Sequence, residues 1–311
     1  MAVTTPDLDL EAVRSRARAA LLGAALGDAL GATVEFMTPA EIRAAHGVHR
    51  ELVGGGWLHL RPGAVTDDTE MSLHAGRALV AAGGFDARAV AEAFVAWLRG
   101  RPADVGNTIR RGLRRYLLDG SLEAPPSDGD AGNGAAMRMV PFALATLADG
   151  GLLERVAVAQ ARITHHHPLS DAAAVHVGAL LHLACLGAPR DALAAASGAL
   201  ASRHPAFRWT PYRGLAGGYV VETMQTVLHF LHGTDGFEAC LVGVVNQGGD
   251  ADTTGAIAGG IAGACYGEEA LPRRWLRRLA PSLRDELAEL ADRLVAASPL
   301  AAGTPPSPVA I

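Results

Sequence analysis

Two short segments of the chain place aspartates beside threonines, each at the predicted start of a helix. The first is TDDTE at residues 66–70, and the second is DADT at residues 250–253. Either segment alone has an ordinary structural explanation, because Asp67 with Glu70 resembles a capping box and Asp250 is itself a suitable N-cap. An EF-hand is excluded for the second segment, since Ile261 stands where that calcium loop requires a glutamate.

Together, the two segments point to a metal centre. Each ends an apolar run, opens a predicted helix and carries two carboxylates. Four carboxylates gathered in a partly buried site, with no lysine to neutralise them, would repel one another strongly. Hard divalent cations such as Mg²⁺ or Mn²⁺ prefer oxygen ligands and remove that repulsion. Two ions about 3.5–4 Å apart are the usual arrangement for so many shared carboxylates.

The charge composition excludes several other chemistries. All 27 lysine-plus-arginine positions are arginine, so the chain has no lysine. Phosphate-loop, Schiff-base and serine–lysine mechanisms each need a lysine and are therefore excluded. The net charge is −5 and no separate basic cluster is present, which argues against a nucleic-acid-binding surface.

The cysteines and the apolar segments indicate a cytoplasmic protein. Cys185, Cys240 and Cys265 are far apart and form no CxxC motif, a pattern typical of reduced, buried thiols. The N-terminus has no basic segment followed by an apolar core, so no signal peptide is predicted. The apolar stretch at residues 253–266 is shorter than the roughly 20 residues that cross a bilayer.

The elements that must position the two acidic segments are helices. Apolar residues recur at helical spacing over residues 10–24, 69–82, 86–99, 105–118, 135–148, 152–163, 170–186, 189–201, 218–232, 235–246, 253–265 and 283–297. Strand-like alternation is weak, with short candidates only at residues 50–53 and 57–60. We therefore expect an all-α, single compact multi-helix domain over residues 11–297, between a flexible lead (1–10) and a disordered, proline-rich tail (298–311). Glycines four apart in residues 255–267 predict a central helix packed closely in the core.

At the two acidic segments the chain resembles the ADP-ribosylglycohydrolase family, whose members pair a TDD motif with a distant DxDxT motif around a dinuclear metal centre. Residues 23–36 (GAALGDALGATVEF) resemble its N-terminal signature, residues 132–138 (GNGAAMR) its substrate loop, and residues 163–165 (ITH) its histidine segment. The resemblance runs from about Ala19 to Trp275. Within the family, stretches such as RPADVGNTIRRGLRRY and VNQGGDADTTGA are similar to those of one subgroup of proteins. That subgroup occurs in nitrogen-fixing bacteria and acts on dinitrogenase reductase.

The resemblance implies a metal-ligand set and a catalytic acid/base. The implied ligands of two divalent cations, Mn²⁺ or Mg²⁺, are Thr66, Asp67, Asp68, Asp250, Asp252 and Thr253. Asp104 matches the subgroup's catalytic acid/base, although an N-cap for a helix beginning at Val105 explains it equally well from the residues alone. Glu35 matches an acid near the metals, the alternative being a solvated loop carboxylate.

The remaining site residues implied by the resemblance would bind the substrate. They are Asn107, Gly132, Asn133, Gly134, His165 and Tyr219. Backbone N–H groups of the loop at 132–134, ahead of a helix predicted to begin at Ala135, would suit a pyrophosphate, although such a loop is more often a simple turn. Three adjacent histidines at 165–167 do not share a helix face, so a three-histidine metal site is not expected. Tyr212 is a second candidate, beside Tyr219, for stacking on adenine.

The resemblance implies a dimetal-dependent hydrolase that removes ADP-ribose from an arginine side chain, with dinitrogenase reductase as the substrate. Two alternatives stay open at this point: an arginine-ADP-ribosyl hydrolase with other protein targets, and a non-catalytic member of the family. The resemblance also implies regulation through a PII-type signalling protein and an ammonium transporter, and hence a reversible association of a cytoplasmic protein with the membrane.

Overall fold

The structure, a computed structural model, describes residues 9–309. Residues 1–8, which make up most of the predicted flexible lead, and residues 310–311 lie outside this range. Within it the chain forms helices and no strands, which confirms the all-α prediction. The α-helices are α1 Leu10–Gly31, α2 Pro39–His46, α3 Asp67–Ala82, α4 Ala87–Arg99, α5 Asn107–Asp119, α6 Met139–Ala145, α7 Gly150–Arg162, α8 Pro168–Cys185, α9 Arg190–Arg203, α10 Val220–Gly233, α11 Phe237–Val245, α12 Ala251–Tyr266, α13 Arg273–Leu276 and α14 Pro281–Ala296.

The centre of the fold is the pair α1 and α12, which touch backbone to backbone. Glycines on α1 face glycines on α12, and a Cβ atom on Gly27 would lie only 2.0 Å from the carbonyl oxygen of Gly255. At the end of the pair, a Cβ on Gly31 would lie 2.1 Å from the carbonyl oxygen of Ala251. The predicted close packing of the glycine-rich helix is thus correct. The carboxyl end of α1 lies beside the amino end of α12, where the second acidic segment begins.

The other helices surround this pair. α3 packs on α4 and α6, α14 packs on α1 and α3, and α8 contacts α6, α7, α9, α10 and α12. In the described part of the chain only α8 is long and apolar enough to cross a bilayer, and 72% of it is buried against its neighbours. The result is a continuous core in which the amino ends of α3 and α12 meet near the carboxyl end of α1.

Several predicted boundaries differ from the structure. α6 begins at Met139 rather than Ala135, because the Asn133 carbonyl accepts from the amides of both Ala136 and Met137 and makes this stretch a series of turns. The two short strand candidates are not strands, and only one isolated bridge joins Gly55 to Leu60. The short helix α2 was not predicted, although Thr38 and Glu41 form a capping box at its start and Pro39 is its first residue.

The segment predicted to be a disordered tail is held against the protein as far as Val309. Leu300 N donates to the Leu147 carbonyl at 3.0 Å, and Ser307 N donates to the Ala148 carbonyl at 2.9 Å. Ser307 Oγ in turn accepts from Gly150 N at 3.1 Å. The tail satisfies backbone groups left free between α6 and α7, a role that its proline-rich composition does not indicate.

Candidate functional site

The two acidic segments meet in space, at the amino ends of α3 and α12. Thr66 Oγ1 lies 3.4 Å from Asp252 Oδ2, although the residues are 186 positions apart. Thr253 Oγ1 lies 3.3 Å from Asp68 Oδ2. All four side chains are buried. The predicted convergence of the two segments is therefore present in the fold.

Helix capping does not account for these acids. Thr66 is the N-cap of α3 and Asp250 is the N-cap of α12, yet within residues 9–309 neither side chain makes a capping hydrogen bond. Glu70, the partner that a capping box would need, instead accepts a hydrogen bond of 2.8 Å from Trp97 Nε1. Helix capping therefore does not explain why the carboxylates of Asp67 and Asp68 lie at this helix start.

Burial and mutual repulsion destabilise the charged forms of these acids. The pKa values of Asp67, Asp68 and Asp252 are raised well above the usual range, first by burial and then by neighbouring carboxylates. Asp68 Oδ1 is buried without a hydrogen-bond partner among the described residues. A buried, unpaired carboxylate oxygen amid other carboxylates fits a hard divalent cation, which supplies the missing positive charge and prefers oxygen ligands.

Glu35 extends this group of acids. Ligand oxygens of Glu35, Asp250 and Asp252 lie within 4.8 Å of one another, and we call these three residues with Asp67 and Asp68 the carboxylate cluster. Glu35 is only 6% exposed, so the solvated-loop alternative is wrong. Burial, followed by repulsion from Asp250 and Asp104, raises its pKa to about 7 in the absence of cations.

The backbone beside Glu35 is fixed by the loop before α12. Phe36 adopts a left-handed conformation with φ of 64°, and its N–H donates to the Gly249 carbonyl at 2.6 Å. The Glu35 carboxylate accepts a hydrogen bond of 2.5 Å from Trp57 Nε1. Trp57 was not predicted as a site residue, and nothing in the residues around it indicates this contact. These bonds hold Glu35 over the second acidic segment.

A cavity of about 430 Å³ opens onto the carboxylate cluster. Most of the predicted site residues line it: Glu35, Asp67, Asp104, Asn107, Gly132, Asn133, Gly134, His165, Asp250, Asp252 and Thr253. Asp68, and Thr66 beside it, are buried and are not among the lining residues. The cavity therefore joins the metal-ligating candidates to the substrate-binding candidates.

Asp104 stands at the side of this cavity. Its Oδ1 accepts a hydrogen bond of 2.7 Å from Val105 N. It is not the N-cap of α5, because that helix begins at Asn107 and its N-cap is Gly106. Burial raises the pKa of Asp104, the bond from Val105 lowers it, and the nearby Asp250 raises it again. A half-buried carboxyl with a raised pKa, facing a cavity, has the properties of a general acid/base.

The glycine loop at 132–134 packs against His165. A Cβ on Gly132 or on Gly134 would lie 3.1 Å or 2.8 Å from the imidazole ring, so a side chain at either position would displace it. His165 is 3% exposed, and burial, followed by repulsion from Arg138 and Arg111, lowers its pKa to about 3. At neutral pH the ring is therefore uncharged where it faces the cavity.

A chain of hydrogen bonds sets the orientation of the His165 ring. Arg138 Nη2 donates to Thr164 Oγ1 at 2.8 Å, and Thr164 Oγ1 lies 2.8 Å from His165 Nδ1. The other two histidines are used elsewhere, since His166 Nδ1 bonds to the Ala124 carbonyl and His167 caps α8 by accepting from Leu169 N. The three histidines thus lie in different places.

The two tyrosine candidates occupy different positions. Tyr219 is 44% exposed and precedes α10, next to Gly218, which lines the cavity. Its backbone forms an isolated bridge with Gly132. Tyr212 stacks on His229, with ring centroids 4.3 Å apart, and its hydroxyl lies 3.1 Å from Thr226 Oγ1. Of the two, Tyr219 is the one placed at the cavity's edge.

One buried carboxylate was missed by sequence reasoning. Asp28 on α1 is fully buried and accepts hydrogen bonds from the backbone of Thr66 and Thr69, at the start of α3. A charged residue in the middle of an apolar helical stretch, GAALGDALGA, is a signal that points to it.

The chain is similar to known proteins along most of its length. The sequence model of the ADP-ribosylglycohydrolase family matches residues 9–303. The chain is 53% identical over 284 residues to the ADP-ribosyl-[dinitrogen reductase] glycohydrolase of Rhodospirillum rubrum, covering 91% of this chain and 97% of that one. It is 33% identical over 291 residues to the ADP-ribosylarginine hydrolase Tri1 of Pseudomonas putida (strain GB-1), covering 89% and 76% respectively.

A solved structure gives the same result at the level of the fold. It is described as an "ADP-ribosylglycohydrolase-related protein complex", and it superposes on this chain with a TM-score of 0.82 at 36% identity. The match covers 92% of this chain and 98% of the other. This chain belongs to the ADP-ribosylglycohydrolase family.

Proposed function

We propose that this chain is a dimetal-dependent hydrolase that removes ADP-ribose from an arginine side chain, and that it reactivates dinitrogenase reductase in this way. The observation that carries the proposal is the convergence of the two acidic segments on a cavity that also contains Asp104, Asn133 and His165. The 53% identity to the Rhodospirillum rubrum glycohydrolase over nearly the whole of both chains supports this choice of target.

The residues that would hold the cations are Thr66, Asp67, Asp68, Asp250, Asp252 and Thr253, with Glu35 beside them. Their fit to divalent cations rests on the repulsion within the carboxylate cluster and on the unpaired oxygen of Asp68. Cations bound there would hold the ribose hydroxyls and make a water molecule more acidic. Mn²⁺ and Mg²⁺ both suit an all-oxygen site, and we propose Mn²⁺ as the first ion to test.

The bond to be broken joins the anomeric carbon of the ribose to a guanidinium nitrogen. Guanidine leaves readily only when it keeps or gains a proton, and the ribose develops oxocarbenium character as the bond breaks. Asp104 is the residue we assign to the proton transfer. Neutral His165, the loop at 132–134, Asn107 and Tyr219 would bind and orient the ADP-ribose.

The decisive experiment is a release assay on purified, metal-depleted protein. ADP-ribosylated dinitrogenase reductase is incubated with the protein, with and without Mn²⁺, and free ADP-ribose and restored reductase activity are both measured. We expect release only with the metal, and loss of release in Asp250→Ala, which removes a carboxylate from the cluster. Absence of release from any ADP-ribosylarginine substrate would contradict the proposal and favour a non-catalytic member of the family.

A broader arginine specificity is the second candidate function. The observation in its favour is the 33% identity to an ADP-ribosylarginine hydrolase. The same assay on an unrelated ADP-ribosylarginine protein separates the two candidates. A kcat/KM at least as high as that for modified dinitrogenase reductase would favour the broader specificity.

We also propose, on the resemblance alone, a reversible association with a PII-type signalling protein and an ammonium transporter at the membrane. Co-sedimentation of the protein with membranes, with and without those two partners, tests this proposal. Sedimentation that is the same in both cases would contradict it.

A further inference from the structure

The carboxylate of Asp28 is surrounded by donors from a different helix. Asp28 lies on α1 and is fully buried. Thr66 N donates to both of its oxygens at 3.0 Å, and Thr69 N donates to Oδ2 at 3.2 Å. The hydroxyls of Thr66 and Thr69 also bond to it, the first at 2.9 Å. A buried carboxylate is tolerated only when hydrogen bonds replace its hydration, and these four donors do so.

These hydrogen bonds take the place of a helix cap. The first N–H groups of a helix need an acceptor, which is ordinarily the side chain of the N-cap residue. α4 follows that rule, since its N-cap Asp86 accepts from Arg88 N and Ala89 N. α3 does not, because Thr66 makes no capping hydrogen bond within the described chain. Asp28 caps α3 from the neighbouring helix α1.

The direction of the Thr66 hydroxyl follows from the same contact. A threonine hydroxyl has one proton and two lone pairs. The proton can go to only one acceptor, and Asp28 is the nearest at 2.9 Å, against 3.3 Å for Asp68 and 3.4 Å for Asp252. With the proton on the Asp28 side, the lone pairs are left for the side on which Asp68 and Asp252 lie. A hydroxyl that is to bind a cation must present lone pairs to it. Carboxylates behind metal ligands commonly impose such an orientation.

The helices that hold Asp28 are closely packed. Gly27, its neighbour on α1, lies against the backbone of Gly255 on α12 so closely that no Cβ fits. α12 carries Asp252 and Thr253, and Asp28 bonds to the segment that carries Asp67 and Asp68. Both acidic segments are thereby fixed relative to the same stretch of α1.

We infer that Asp28 is a positioning residue for the cation site, which caps α3 from α1 and turns the Thr66 hydroxyl so that its lone pairs face the carboxylate cluster. The inference rests on the proposed function only in assuming that the cluster binds divalent cations. It assigns Asp28 no contact with substrate or metal.

The test is the affinity of the folded protein for Mn²⁺ alone, measured by calorimetry or by electron paramagnetic resonance, together with thermal unfolding of the metal-free protein. Asp28→Asn replaces one carboxylate oxygen with an NH₂ group, which cannot accept hydrogen bonds from the donors of Thr66 and Thr69. We therefore expect Mn²⁺ binding to weaken about 10- to 100-fold, as for other residues behind metal ligands. Asp86→Asn is the matched control, because it makes the same substitution at the ordinary N-cap of α4. Asparagine caps a helix about as well as aspartate, so this variant should change the unfolding temperature little and leave the Mn²⁺ affinity as in the wild type.

Thr69→Val keeps the test decisive if Asp28→Asn does not fold. It leaves the Asp28 carboxylate in place and removes one hydroxyl donor, and it should weaken Mn²⁺ binding by a smaller factor. If the folded variants of Asp28 and Thr69 are destabilised but bind Mn²⁺ like the wild type, Asp28 is a structural cap only and the inference is wrong. If the wild type itself binds no divalent cation, the proposed metal site fails, which is a distinct outcome and overturns the inference with it.

Discussion

The side-chain amide of Asn133 donates a hydrogen bond of 2.8 Å to Asp250 Oδ2. The same nitrogen lies 3.0 Å from Thr223 Oγ1 on α10. The loop that would bind the substrate is thus joined directly to a proposed metal ligand 117 positions later in the chain. This bond connects the substrate-binding side of the cavity to the metal-binding side, so a substitution in the loop should change the orientation of Asp250 in the carboxylate cluster.

We expect Asn133→Ala to weaken both metal binding and turnover. Asp250 would lose the donor that orients it, and residues that orient metal ligands typically contribute about 10- to 100-fold to affinity or activity. The measurements are the Mn²⁺ dissociation constant and kcat for ADP-ribose release. Thr223→Val removes the second contact of Asn133 and the bonds of the Thr223 hydroxyl to the Gly217 and Tyr219 carbonyls, but it leaves the bond from Asn133 to Asp250 in place, so it should have a smaller effect. Values for Asn133→Ala within twofold of the wild type would show that the contact has no functional role.

Asp104 is expected to act on protons rather than on metal. Asp104→Asn keeps the size of the side chain and its acceptor for Val105 N, but it removes the titratable group. Turnover should fall by about 10²- to 10⁴-fold, the usual contribution of a general acid/base, while bound metal measured by elemental analysis stays at the wild-type level. Unchanged turnover would remove Asp104 from the mechanism, and loss of metal would make it a ligand instead.

The acidic segments could be predicted from the sequence, whereas the residues that support them could not. Asp67, Asp68, Asp250 and Asp252 are recognisable because two carboxylates next to a threonine, occurring twice, exceed what helix capping needs. Asp28 is a single aspartate in an apolar helix, and its role depends on which helix packs beside it. The backbone contacts of the tail have the same cause, since the acceptors at Leu147 and Ala148 are in place only after α6 and α7 have formed.

The loop at 132–134 illustrates a second limit of the sequence. Helical spacing is present from Ala135 onward, and periodicity alone therefore places the start of the helix there. In the structure the Asn133 carbonyl accepts two backbone amides and its side chain bonds to Asp250. The tertiary contact overrides the local helix propensity, so α6 begins at Met139.

The contribution of buried histidines to stability should fall as the pH is lowered through the range in which histidines titrate. Burial lowers the pKa of His182 to about 4, while its Nε2 contacts the Ala143 carbonyl at 2.9 Å. In the unfolded chain a histidine has a pKa of about 6.5. Below that pH the unfolded chain takes up a proton that the folded protein rejects at this position, so the contribution of His182 to the free energy of unfolding decreases between about pH 6.5 and 4.

The contribution of His182 is measurable by substitution. One such histidine accounts for about 1.4 kcal/mol for each pH unit within that window. His182→Gln retains a donor but does not titrate, so the difference in its free energy of unfolding between pH 7 and pH 5 should be smaller than that of the wild type by a comparable amount. The check is denaturant unfolding at both pH values. An identical pH dependence in the variant and the wild type would contradict the assignment.

The close contact between α1 and α12 predicts that adding a side chain at Gly27 lowers the stability of the protein. In Gly27→Ala the new methyl group would lie 2.0 Å from the Gly255 carbonyl oxygen, so the two helices must separate, and overpacking of this kind costs about 1–3 kcal/mol or more. Gly198→Ala on α9 is the matched control, because among residues 9–309 no atom beyond its own stretch of helix lies within 4 Å of the added Cβ. In a helix interior that change should stabilise the protein by about 0.5–1 kcal/mol. Thermal unfolding of the two variants should therefore shift in opposite directions.

Because Gly27 adjoins Asp28, Gly27→Ala should also weaken Mn²⁺ binding, whereas Gly198→Ala should leave it unchanged. Equal unfolding temperatures for the two variants would mean that the α1–α12 contact can yield without cost.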